Sequence, residues 1–118
     1  MSFEESIEEL QLEGTTPSIE FDIVDPETGV GFQPQDLRLT LWNAKDGAIV
    51  NGRSGSVILT SVDAQGHVKF WLTAADMAIL DATMITEVRR ALFTWSWLNG
   101  ERHDGLEVKF TVYNHAKI

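Results

Sequence analysis

From Ser18 onward, apolar and polar residues alternate with a period of two, the spacing of strands that bury one face. Ile19, Phe21 and Ile23 share a face, with Glu20 and Asp22 opposite. Leu37, Leu39 and Leu41 stand against Arg38, Thr40 and Trp42, and Val68, Phe70 and Leu72 against His67, Lys69 and Trp71. "SVILTSV" (56–62) is a further strand candidate. In "ALFTWSWL", Phe93, Trp95 and Trp97 form one side, and Leu92, Thr94, Ser96 and Leu98 the other. Threonine and serine are poor core residues, so the aromatic side is expected inside. Leu106, Val108, Phe110 and Val112 close the chain against Glu107, Lys109, Thr111 and Tyr113.

The segments between these runs are rich in turn residues. They read "DPETGVGFQP", "NAKDGAIVNGRSG", "DAQG" and "NGERHDG", and the Asn51-Gly52 pair is a hairpin-type signal. Six or seven short strands punctuated by turns predict an antiparallel β-sandwich or small barrel.

Two stretches break the period and predict helices. Ser2 and Glu5 form an S-x-x-E capping box, and Phe3, Ile7 and Leu10 recur at i, i+4 and i+7. This predicts a short amphipathic helix from about Phe3 to Leu12, closed by Gly14. In "TAAD", Thr73 caps and Asp76 supplies the box carboxylate, predicting a crossover helix from about Ala74 to Ile79. The domain division expected is an acidic arm or helix over 1–14 and a β-sandwich over 15–118.

Charge sharpens that division. The net charge is −9, yet Met1 to Leu37 holds ten acidic residues and no Lys or Arg. A phosphate backbone would be repelled there and meets no basic stripe elsewhere, so nucleic-acid binding is not expected. No apolar run approaches the ~20 residues that span a bilayer, and "MSFEESIEEL" has no basic n-region. Neither a membrane span nor a signal peptide is expected, and synthesis is expected in a cytoplasm. With no cysteine, disulfides, thiolate zinc sites and cysteine nucleophiles are excluded.

Catalytic patterns are missing as well. None of His67, His103 and His115 pairs with another histidine at ligand spacing, the lone His103-Asp104 pair is of a kind usually solvated in a hairpin loop, and "DAQGH" lacks the alternating carboxylates of a calcium loop. "GRSGS" has neither the flanks of a nucleophile elbow nor the Gly-Lys-Ser/Thr of a phosphate loop. No enzyme activity, cofactor or metal is expected. Trp42 and Trp71 point away from faces that are already purely apolar. Such outward indoles mark interaction surfaces unless one of the chain's own helices covers them.

"GHVKFWLTAADMAILDA", an aromatic-rich strand, the turn "LNGER" and the closing strand "LEVKFTVYN" together resemble a module of tailed bacteriophages. "DIVDPETGVGFQPQDLRLTLWNAKDG" resembles the opening of such modules. The resemblance covers about Asp22 to Asn114. It implies an immunoglobulin-like β-sandwich of a tail, baseplate, neck or fibre-attachment protein, located in the virion and acting by assembly. The partners implied are other copies of the chain or another virion protein. The residues expected at the interface are Trp42 and Trp71, then Phe3, Ile7 and Leu10 of the arm, with Arg89 and Arg90 meeting an acidic arm. Two other readings are a carbohydrate-binding module stacking sugars on exposed tryptophans, and an acidic mimic of nucleic acid.

Overall fold

The computed structural model describes residues 2–12, 16–25, 27–96 and 103–114, with side chains for 16–25, 27–96 and 105–114. Seven strands and one 3-10 turn are found among them. They are β1 (Ser2–Leu12), β2 (Ser18–Asp22), β3 (Asp36–Asn43), β4 (Ser56–Val57), β5 (His67–Trp71), β6 (Thr86–Ser96) and β7 (His103–Tyr113). The large sheet runs β1-β7-β6-β3-β4, and β2 and β5 pair as a second, two-stranded sheet. All pairings are antiparallel except β1 with β7.

The period-two pattern explains how the sheets stack. Leu37, Leu39 and Leu41 of β3, Ala91 and Phe93 of β6, and Val108 and Val112 of β7 are sealed from solvent. Ile19, Val68 and Phe70 bury themselves from the small sheet. Between the layers, the Phe21 ring meets Phe93 edge-on at 4.9 Å and Trp95 at 5.9 Å, and Phe70 meets Phe93 at 6.2 Å. Aromatic pairs of this kind add about 0.5–1.5 kcal/mol each beyond the area they bury. Phe93 and Trp95 are therefore core residues, as expected, while Trp97 lies outside the described residues. The result is a mainly β, two-layer sandwich.

Backbone bonds lengthen the small sheet at both ends. Leu72 N–H donates to the Pro17 carbonyl at 2.8 Å, and Ile23 N–H to the Gly66 carbonyl at 2.8 Å. Gly66 has φ +82°, and a Cβ there would run into the carbonyl oxygens of Ile23 and Phe32. Only glycine allows this close approach of three backbone segments.

Three expectations need correction. "SVILTSV" is strand only at Ser56–Val57, after which Leu59–Ser61 forms a 3-10 turn. Ile58 before the turn and Val62 after it are both core residues, at 5% and 6% exposure.

The N-terminal helix is instead the strand β1, eleven residues long, parallel to β7. The sheet supplies backbone partners along its length, whereas so short an isolated helix is marginal in water. Register places Phe3 beside Leu106 and Leu10 beside Thr111. Between Ser6 and Leu10 the register shifts: four steps along β1 match two along β7, from Lys109 to Thr111. The segment expected to be a separate arm is thus the outer strand of the large sheet, and Gly14 lies outside the described residues.

The crossover helix at Ala74–Ile79 is a single turn. Its capping box does form: Thr73 N–H and Oγ1 donate to Asp76 Oδ2 at 2.8 and 3.0 Å, and Asp76 N–H donates to Thr73 Oγ1 at 3.3 Å. The helix does not propagate, because Arg89 takes the carbonyls of Asp76 and Ala78 at 3.0 and 2.6 Å.

Candidate interaction surface

The outward positions of β2 and β5 make one continuous face. Their antiparallel register sets Asp22 opposite His67, Glu20 opposite Lys69 and Ser18 opposite Trp71. Charges of opposite sign interlock along it. His67 Nδ1 lies 2.8 Å from Asp22 Oδ1, and its Nε2 lies 3.6 Å from Glu20 Oε1. Lys69 Nζ also stands 3.6 Å from Glu20 Oε1, and 5.0 Å from the centre of the Trp71 ring. The hydrogen bond to Asp22 raises the His67 pKa above 6.5 against the opposing effect of desolvation, and the Asp22 charge and then the hydrogen bond and charge of Glu20 add to the rise. Trp71 ends this ladder with 57% of its surface exposed. Apart from the Lys69 ammonium at its ring, more than half of the indole is open among the described residues. Burial of one such ring would supply much apolar area at little entropy cost.

Trp42 is on the outer face of the other sheet. It is half-buried, faces Arg90 in register, and carries the Arg90 guanidinium 5.9 Å from its ring centre. Arg90 also pairs with Glu107 at 2.7 Å. The two tryptophans expected at an interface are therefore on opposite faces of the sandwich, and no helix among the described residues covers either.

Arg89, expected to meet an acidic arm of another copy, is fully buried. It shares the inward face of β6 with Glu87, Ala91, Phe93 and Trp95, and so is drawn under the 73–81 loop. Its guanidinium holds Glu87 Oε1 at 2.6 Å and the two loop carbonyls. Glu87 in turn accepts the Leu80 and Asp81 N–H groups at 2.8 and 2.9 Å. Of the N-terminal candidates, Phe3 and Leu10 have the register positions given above, Ile7 falls in the shifted stretch of β1, and their side chains lie outside the described residues.

Alternation alone does not reveal the buried polar cluster at one end of the core. Asp76 Oδ1 accepts from Asn51 Nδ2 at 2.9 Å and Arg53 Nε at 3.0 Å, and Arg53 Nη2 reaches Oδ2 at 3.2 Å. Burial acts to raise the Asp76 pKa, but the bonds from Arg53, Asn51 and Thr73 outweigh it and hold the carboxyl below its ordinary 3.8. Arg53 also lies over the Phe70 ring at 5.2 Å, tying the cluster to the core. Its sequence signal is the Thr73–Asp76 box, read as a helix start.

Among the described residues no group of three or more His, Asp and Glu side chains stands ready to hold a metal ion. No helix among them is long and apolar enough to cross a membrane. Comparison with known proteins finds no family model, no curated protein and no solved structure that matches this chain.

Proposed function

We propose that this protein is an attachment module, an immunoglobulin-like β-sandwich that docks a partner protein on the outer face of β2 and β5. The observation carrying the reading is Trp71, an indole 57% exposed at the end of an ordered charge ladder. Topology supports the finer fold assignment. Strands β3, β6 and β7 are adjacent in one sheet and β2 and β5 pair in the other, as C, F, G and B, E do in immunoglobulin domains. The edge-on contact of Phe21 with Phe93 joins the strands that a disulfide joins in antibody domains. The setting we infer is a virus particle, on the resemblance of 66–82 and 106–114 to tailed-phage modules, with activity residing in assembly and not in catalysis.

A photo-crosslinking amino acid in place of Trp71, introduced in the cells that make the protein, tests this. A discrete adduct with another protein, missing when the crosslinker replaces exposed Val57 on the opposite sheet, is the expected result. Equal labelling from both positions overturns the reading. The same open indole beside Glu20 and Lys69 also suits a sugar ring. Saturable quenching of tryptophan emission by oligosaccharides, abolished in Trp71→Ala, would establish that second reading instead.

A further inference from the structure

The described cations are distributed unevenly between use within the fold and display. Arg38, Arg53, Lys69, Arg89 and Arg90 each stand within ion-pair distance of a carboxylate. Among the described residues, Lys45 and Lys109 do not. Both line the same open groove of about 520 Å³ on the outer face of the large sheet, with Arg90 between them in the lining. Asn43, Met84, Thr86 and Val88 supply most of the rest. In a protein of net charge −9, the uncommitted positive charge among the described residues thus gathers in one concavity.

The acids near the groove do not cancel this charge. Glu87 is in the lining, but its carboxylate is bound to Arg89 and two N–H groups. Glu107 is engaged by Arg90. Asp81 is held below its ordinary pKa mainly by the Thr83 hydroxyl and N–H, with a smaller contribution from Lys45, which is not within ion-pair distance. Among the described residues, the polar contact of Lys45 Nζ is with Met84 Sδ, at 4.0 Å.

The apolar part of the lining selects among anions. Met84 and Val88 stand in the same lining as the lysines, and a free phosphate has nothing to bury against them. A peptide offers carboxylates to the lysines and an apolar side chain to Met84 and Val88. The volume lies within the usual range of sites that hold small ligands or short segments.

We propose that this groove is a docking site for an extended acidic segment of a partner protein. The site is separate from the Trp71 face and does not depend on it.

Fluorescence anisotropy tests the proposal with a labelled peptide of alternating Glu and Leu, its Gln-for-Glu counterpart, and inorganic phosphate as competitor. Saturable binding of the acidic peptide is expected, weakened by salt and reduced at least tenfold in Lys45→Glu/Lys109→Glu. The single change Lys109→Gln should give a smaller loss, and Trp71→Ala none. Urea midpoints of the variants, with both lysines outside the core, report that the fold is intact. No saturable binding, equal binding of the Gln peptide, indifference to the double reversal, or displacement by phosphate as effective as by unlabelled peptide would each overturn it.

Discussion

Replacing Arg89 by Met should cost this protein a large part of its stability, although the side chain lies far from the proposed docking face. The guanidinium is completely buried and serves three acceptors: Glu87 Oε1 at 2.6 Å, the Ala78 carbonyl at 2.6 Å and the Asp76 carbonyl at 3.0 Å. Methionine fills much of the volume and makes none of these bonds. Glu87 keeps its two N–H donors but loses its counter-charge in a site where the side chain is 3% exposed. Removing one partner of a buried ion pair costs about 3–5 kcal/mol, out of a total near 5–15 kcal/mol for a domain. With a urea slope of roughly 1.5 kcal/mol/M, the midpoint should fall by about 2–3 M with little change in slope. Tryptophan emission during urea unfolding measures it. Arg38→Met is the control: the Arg38–Asp36 pair is 48% and 40% exposed, and its loss should cost under about 1 kcal/mol. Adding Glu87→Gln to Arg89→Met removes the stranded charge while keeping an acceptor for Leu80 and Asp81, and should restore on the order of half the loss. A loss below about 1 kcal/mol for Arg89→Met, or no recovery in the double variant, would refute the claim that this pair fastens the 73–81 loop.

Asn51→Asp should destabilise more than Asn51→Ala in the same urea assay, because it sets a carboxylate against buried Asp76 Oδ1, now 2.9 Å from the amide, at a cost of about 1–3 kcal/mol. The folded-state pKa of Asp76 is depressed, so the stability it confers is present above its ordinary 3.8 and lost as pH falls through the lower folded value. Asp76→Asn should flatten that acid limb of the midpoint-against-pH curve. His67 behaves oppositely: its raised pKa adds stability below 6.5 that disappears as pH climbs through the folded value. An NMR titration should place the imidazole above 6.5, and His67→Gln should remove the slope. Gly66→Ala should fail to yield folded protein by circular dichroism, since its Cβ has no room between the Ile23 and Phe32 carbonyls.

Strands β2, β3, β5, β6 and β7 were legible because one side of each had to be apolar, and a period of two records that directly. Strand β1 was not. The register shift between Ser6 and Leu10 removes two residues from step with β7, leaving Phe3, Ile7 and Leu10 at helical spacing. Its hydrogen bonds come from a strand about a hundred residues away, which no local pattern can announce. The box at Thr73–Asp76 was read correctly as a box. What stops the helix is Arg89, 13 and 11 residues further along, which takes the Asp76 and Ala78 carbonyls. Arg89 looked exposed because arginine usually is, yet its parity with Ala91 and Phe93 already placed it on the inward face. The outward position of Trp71 was legible from Phe70 and Leu72. The ladder beside it required the β2–β5 register, which brings Glu20 and Asp22 onto Lys69 and His67. The groove required more still, as Lys45 and Lys109 come together only once β6 lies between β3 and β7.

The most direct measurement of the attachment claim is the affinity of Trp71→Ala for the partner captured through position 71. An indole at the centre of an interface is worth 2 kcal/mol or more, roughly a thirtyfold loss in affinity, and the urea midpoint should barely change because the ring is exposed. A variant that binds that partner as tightly as the parent protein would contradict the account.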